Sequence, residues 1–125
     1  MAVTYSNAIK DARMTAVLTA LDAQTAHAYM EICTTSYASV LSTITLGKPS
    51  FTEASQALSL IGTPSDSSAA NAGAAAVARI KDGAGTVQIS GLTVGVGSGD
   101  VQLGSTTISS GEVVQITSGT ITHAA

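Results

Sequence analysis

The last third of the chain, DVQLGSTTISSGEVVQITSGTITHAA (residues 100–125), is the stretch that decides the fold. Val114 and Ile116 alternate there with Gln115 and Thr117, and β-branched residues, Ser and Gly dominate. Alternation with a period of two residues and β-branched enrichment are typical of strands with one buried face. The stretch contains no carboxylate pair, histidine cluster or thiol constellation. It therefore predicts sheet surface rather than a catalytic centre.

Strand-like segments recur from about residue 28 onward, separated by turn signals. The strongest turn signal is Asp82-Gly83-Ala84-Gly85, because Asp-Gly and Gly tolerate the positive φ that hairpin turns require. The pattern predicts strands at residues 28–33, 39–46, 57–61, 74–81, 86–90, 92–96, 101–103, 106–108 and 113–122. Short strands at regular spacing indicate an antiparallel β-sandwich, jelly-roll or Ig-like, or a small barrel.

The beginning of the chain predicts one α-helix within residues 4–24. Thr4 or Ser6 can cap its N-terminus. An apolar stripe recurs at spacings of three or four residues and comprises Tyr5, Ile9, Ala12, Ala16 and Ala20, widened by Val17 and Leu21. The sequence leaves open whether this stripe packs on the chain's own sheet or on a partner. The predicted oligomer or partner interface consists of Tyr5, Ile9, Val17 and Leu21.

The length and composition suit one mainly β domain over residues 1–125, with the helix at 4–24 and the β-sandwich at 28–123. Charged residues make up only 10% of the 125 residues, and the net charge is −3. A chain without a basic stripe is not expected to bind nucleic acid, and one without a polybasic patch or a long apolar stretch is not expected to bind or span a membrane. The N-terminus has no apolar h-region, so no signal peptide is predicted. Large core side chains are scarce, which favours a homo-oligomer, with a trimer foremost.

Candidate reactive residues occur singly. Cys33 is predicted to be a buried strand residue, as free cysteine commonly is. The glycine-rich run at residues 95–99 lacks the Lys-Ser/Thr and the helix of a phosphate loop, so we interpret it as a turn. His27 and His123 have no ligands at metal-binding spacing. Glu31 is predicted to point outward from its strand, with pairing to Arg79 or Lys81 as the alternative. No enzyme activity, metal or cofactor is expected.

Three segments together carry a family resemblance: LSTITLGKPSF (residues 41–51), ARIKDGAGTVQISGLTVG (78–95) and DVQLGSTTISSGEVVQITSGTITH (100–123). In this order they resemble a family of small virion-associated proteins of tailed bacteriophages. The opening TYSNAIKDARMTAVLTALDA is similar to the helical start of one branch. The chain departs from the pattern at AQTAHAY (23–29), where relatives tend to have a Gly-rich link. The family pattern carries no catalytic residues, so none are transferred.

The resemblance implies a non-enzymatic virion structural protein, assembled in the host cytoplasm. The foremost expectation is a capsid decoration or cement protein that binds the major capsid protein or other virion proteins. The alternative within the virion is a head–tail connector, collar or tail component. An alternative from another class is a receptor- or carbohydrate-binding module, which the shortage of Trp and Tyr disfavours.

Overall fold

One α-helix precedes a series of short strands in this computed structural model, which describes residues 5–47, 50–54 and 57–122. The helix is α1 (Asn7–Asp22). The strands are β1 (Tyr29–Cys33), β2 (Val40–Thr45), β3 (Phe51–Ala54), β4 (Ala57–Leu60), β5 (Ser65–Asp66), β6 (Gly73–Ala74), β7 (Val77–Lys81), β8 (Val87–Gly95), β9 (Val101–Leu103), β10 (Thr107–Ile108) and β11 (Val114–Thr122). The prediction of a mainly β fold with one N-terminal helix is confirmed.

Most strands belong to one curled sheet in the order β2-β1-β7-β8-β9-β11-β4-β3. β5 also pairs with β11, and β10 and β6 form a separate two-stranded sheet. β4 and β5 both pair antiparallel with β11, at residues 120–122 and 114–115 respectively. The two short strands therefore lie one after the other along one long partner. The arrangement is broadly consistent with the predicted helix and β-sandwich.

One pair of strands departs from the antiparallel prediction. β8 and β9 run parallel, with Val94 opposite Val101 and Gly95 opposite Gln102. The loop between β8 and β9 is short, and Asp100 stabilises it. The Asp100 carboxylate accepts hydrogen bonds from the backbone N–H and the hydroxyl of Thr93, both at 3.1 Å. The backbone N–H of Asp100 donates back to the Thr93 hydroxyl at 2.9 Å. These reciprocal bonds hold the loop without a crossover helix.

The two strands predicted at residues 86–90 and 92–96 form the single strand β8. Gly91 lies between them at φ +77°, and the pairing of β7 with β8 shifts register twice along this stretch. A glycine in the left-handed region lets an extra residue bulge out of an antiparallel pair without ending it. The turn signal at Gly91 therefore bends the strand instead of closing a hairpin.

Helix α1 packs on β3 and β4 through one narrow face. Met14 and Leu21 are buried, and Val17 and Leu18 pack half-buried against the core. The helix is fixed at both ends. The Ser6 hydroxyl caps it by accepting from the N–H of Ile9 at 3.3 Å. At the other end, the Asp22 carboxylate accepts from the hydroxyl and the N–H of Ser50, at 3.1 and 3.3 Å.

The core lies between the helix and the inward side of the curled sheet. Phe51, the large aromatic residue at the start of β3, is only 2% exposed. The largest fully buried side chains besides it are Leu21, Met30, Ile32, Leu41, Ile44, Leu46, Leu58, Ile80, Leu103, Ile116 and Val101. Aliphatic side chains from most strands thus meet in one cluster, which buries the alternating residues of the sequence pattern.

Candidate interaction surfaces

The four predicted interface residues do not lie on one surface. Tyr5 and Ile9 are 40% and 48% exposed, Val17 is half-buried against the core, and Leu21 is fully buried within the chain. Leu21 therefore contributes to the fold of the single chain and presents no side chain to a partner. That Tyr5 and Ile9 contact a partner stays a prediction.

The exposed side of α1, together with Tyr5 just before the helix, forms an apolar strip with one cation, which we call the outer helix face. It consists of Tyr5, Ile9, Ala12, Arg13 and Ala16, all of them exposed. The Arg13 guanidinium carbon lies 4.8 Å from the centroid of the Tyr5 ring. This cation–π contact orders two long side chains beside Ile9.

A charged cluster occupies the outward side of β1 and β7. The Oε1 atom of Glu31 lies 2.7 Å from Nε of Arg79 and 3.1 Å from Nζ of Lys81. Glu31 and Arg79 are direct cross-strand neighbours. Glu31 therefore points outward, as the default prediction stated, and it also pairs with Arg79 and Lys81, as the alternative stated. The reason is register, which places both cations on the strand next to Glu31.

Tyr37 covers this cluster from a turn with unusual backbone angles. Ser36 and Tyr37 have φ values of 59° and 58°, in the left-handed region that non-glycine residues rarely adopt. The Tyr37 hydroxyl accepts from the N–H of Gly91 and donates to the carbonyl of Ala78 at 3.4 Å. Its ring centroid lies 5.0 Å from the Arg79 guanidinium carbon. The hydrogen bonds thus hold the turn in a conformation that brings an aromatic ring over the cation.

The cluster perturbs the acidity of Glu31. Burial alone would raise the pKa of this carboxyl, but the hydrogen bonds and charges of Arg79 and Lys81 outweigh it and hold the pKa below the usual 4.5. A lowered pKa means that the folded state favours the carboxylate. The contribution of Glu31 to stability is therefore complete above its unfolded pKa and is lost as the pH falls through the folded pKa.

We expect Glu31→Gln to lower the melting temperature by about 3–6 °C near neutral pH, as the loss of roughly one charged hydrogen-bond pair would do. The melting temperature of the variant should also fall less than that of the wild type between about pH 7 and about pH 3. Differential scanning calorimetry at concentrations where the protein is monomeric measures both effects. Glu112→Gln is the control, since the Glu112 side chain has no partner among the described residues. Parallel pH curves for wild type and Glu31→Gln would contradict a stabilising role.

A pair of acidic side chains, Asp11 and Glu53, lies between the helix and the sheet. The pKa of Glu53 on β3 is raised, first by burial and then by a hydrogen bond and the charge of Asp11 on α1. A raised pKa favours the protonated carboxyl in the folded state, so this contact is strongest at low pH and weakens as the pH rises through the folded pKa of Glu53.

A cavity of about 240 Å³ lies where β9 and β11 separate, and we call it the β9–β11 cavity. It is lined by Leu103, Gly104, Ser105, Glu112, Val113, Val114, Gln115 and Thr117. It forms because β9 pairs with β11 only as far as Leu103, after which the chain leaves to build β10. Most polar side chains of the lining are engaged: Gln115 donates to Thr63, and Thr117 donates to the Gln102 carbonyl at 3.1 Å.

The candidate reactive residues named from the sequence lie, where the structure describes them, in surroundings that do not activate them or gather them into a site. Cys33 is fully buried, and burial raises the pKa of its thiol, which disfavours the nucleophilic thiolate. His27 lies 2.9 Å through Nδ1 from the Leu46 carbonyl, and His123 lies outside the described residues. The loop at residues 95–99 leads into β9 and not into a helix. Within the described ranges, no three His, Cys, Asp or Glu side chains are placed to hold a metal ion.

Comparison with known proteins adds no relative to this picture. No family model, no curated protein and no solved structure matches the chain. The resemblance to phage virion proteins therefore depends on the sequence segments quoted above. No helix in the described part of the chain has the length and apolar character needed to span a bilayer.

Proposed function

We propose that this protein is a non-enzymatic virion structural protein that binds an assembled bacteriophage shell as a capsid decoration or cement protein. One structural observation supports it above the others: the exposed strand positions are dominated by hydroxyl side chains. They include Thr43, Thr45, Thr52, Ser59, Ser65, Thr93, Thr107, Thr117, Ser118, Thr120 and Thr122. Such a surface suits broad contact with another protein.

The energetics of such a surface favour assembly without chemistry. Hydroxyl groups and small apolar side chains cost far less to desolvate than unpaired charges. The cations of the charged cluster are already neutralised in part by Glu31. A protein that binds the assembled lattice and not the free subunits shifts the equilibrium towards the intact particle by mass action. Stabilisation of a shell therefore requires only contact area, which the sheet provides.

We expect particles that lack this protein to assemble but to rupture at a lower temperature than complete particles. Adding the purified protein back should restore the rupture temperature between roughly 0.05 and 0.5 M salt, because few charges are available to be screened over that range. Rupture is measured by release of DNA to a fluorescent dye during heating. Bovine serum albumin at the same concentration is the control for non-specific protection. Unchanged capsid stability together with lost tail attachment or host adsorption would contradict a decoration role.

The tail or connector alternative makes a different prediction for stoichiometry. A decoration protein covers the shell and is present in numbers comparable to the capsid protein, whereas a connector or collar forms a single ring. Quantitative mass spectrometry of purified particles separates the two. For a carbohydrate-binding module the structure offers few free rings, since arginines already cover one face of Tyr5 and one face of Tyr37.

A further inference from the structure

We infer that copies of this chain associate head to tail, with the outer helix face of one copy on the β9–β11 cavity of the next and Arg13 facing Glu112. The inference rests on the proposed function in one respect, since it describes how the expected homo-oligomer is held together. Its test is made in solution and needs no phage particle.

The inference starts from the carboxylates, nearly all of which have partners within the chain. The intramolecular contacts are Glu31 with Arg79 and Lys81, Asp22 with Ser50, Asp66 with Ser42 and Ser68, Asp82 with the 84–88 turn, Asp100 with Thr93, and Asp11 with Glu53. Among the described residues, the Glu112 side chain is left without a hydrogen bond or ion pair. It lies at a cavity that is also lined by the apolar side chains of Leu103, Val113 and Val114.

The exposed cations show the complementary pattern. Arg79 and Lys81 are paired with Glu31, and Lys48 lies outside the described residues. Lys10 is half-buried on α1, whereas Arg13 is exposed and, in the described part of the chain, stacks on the Tyr5 ring without a hydrogen bond or ion pair. The outer helix face therefore presents one available positive charge next to exposed apolar residues.

Both surfaces combine a single charge with apolar side chains, and their charges are opposite. Tyr5 and Ile9 are 40% and 48% exposed beside Arg13, and Val113 is 62% exposed beside Glu112. Burial of these apolar side chains would drive association, at about 25 cal/mol for each Å² removed from water. The charge pair would fix the register of the two surfaces and exclude like-charged partners.

The geometry also determines the type of assembly. The helix face and the cavity are different patches, so the contact is heterologous and each copy has one of each. A heterologous contact closes into a ring when the rotation between copies allows it and otherwise continues as a filament. A closed ring of three copies corresponds to the trimer expected from the sequence.

A charge exchange tests the contact on the full-length protein. Sedimentation velocity should show a concentration-dependent oligomer for the wild type. Arg13→Glu and Glu112→Arg should each weaken association by at least about tenfold, which corresponds to about 1.4 kcal/mol. The double variant that carries both substitutions should recover most of the wild-type affinity. Thr25→Glu, which adds a charge in the exposed connection between α1 and β1, is the matched control and should associate like the wild type.

Folding is checked for each variant by circular dichroism and thermal unfolding. Arg13→Gln and Glu112→Gln provide milder versions if a charge reversal prevents folding. Each should weaken association, and the double variant that carries both should not recover the wild-type affinity. A wild-type monomer at all concentrations, single variants that associate normally, or an exchange that does not restore association would each overturn the inference. Restoration by the exchange supports it whether or not the protein binds phage particles, so the proposed function can fail separately.

Discussion

Gly83→Ala is expected to lower the free energy of unfolding by about 2–3 kcal/mol, a large share of the roughly 5–15 kcal/mol that a small domain has. A Cβ built on Gly83 would lie 2.2 Å from the carbonyl oxygen and 2.7 Å from the carbonyl carbon of Ala26. Both are backbone atoms, so no side-chain rotation relieves the overlap. The connection between α1 and β1 would have to move away from the turn.

The turn itself has little freedom to yield. The Asp82 carboxylate accepts from the N–H groups of Ala84 and Thr86 and from the amide of Gln88, each at 3.0 Å. The Gln88 hydrogen bond contributes most to holding the pKa of Asp82 below its usual value, which favours the charged, accepting form. Because these bonds fix the backbone on both sides of Gly83, the strain of the added methyl group would pass into the α1–β1 connection.

Urea unfolding followed by circular dichroism measures this effect. Gly104→Ala is the matched control, because no heavy atom lies within 4 Å of the position that its added methyl group would occupy, and its backbone is not left-handed. It should change the free energy of unfolding by no more than about 0.5 kcal/mol. Equal midpoints for Gly83→Ala and Gly104→Ala would show that the connection yields easily and that the close approach contributes nothing to stability.

The comparison of Gly83 with Gly85 illustrates what the sequence could predict. The run Asp82-Gly83-Ala84-Gly85 correctly predicted a hairpin turn, since turn chemistry is local. The positive φ lies at Gly85, at +89°. At Gly83 a glycine is required for another reason: the Ala26 backbone lies too close for a Cβ atom. That approach joins residues far apart in sequence, and no local pattern encodes it. The parallel pairing of β8 and β9 was missed because parallel neighbours ordinarily need a much longer connection.

The helix shows the same limit in its packing. Its sequence has apolar residues on more than one side, so the stripe through Tyr5 and Ile9 and the stripe through Met14 and Leu18 were both compatible with an amphipathic helix. The sheet packs against the second stripe and also against Val17 and Leu21, which widened the first stripe. The position of Tyr37 over the charged cluster could not be predicted from the sequence. Ser and Tyr do not indicate a left-handed backbone in the way that Gly or Asn would.

Leu21→Asp and Ile9→Asp, which the sequence treats as equivalent interface substitutions, are expected to have opposite consequences for folding. Leu21 has no exposed surface, and removing such a leucine side chain alone costs about 2–5 kcal/mol. Adding an unpaired buried carboxylate increases that cost further. Because the sum is comparable with the whole stability of a small domain, Leu21→Asp should be largely unfolded at room temperature.

Ile9→Asp should fold normally, because Ile9 is 48% exposed and lies in the first turn of α1, where its N–H is bonded to the Ser6 hydroxyl. A carboxylate in the first turn interacts favourably with the helix dipole. The substitution nevertheless places a charge on the outer helix face, so self-association should weaken while the melting temperature of the monomer stays within a few degrees. Circular dichroism and sedimentation velocity on both variants measure the two properties separately. A folded Leu21→Asp protein with impaired association would instead place Leu21 in an intermolecular contact, and an Ile9→Asp protein that associates normally would remove the outer helix face from the oligomer.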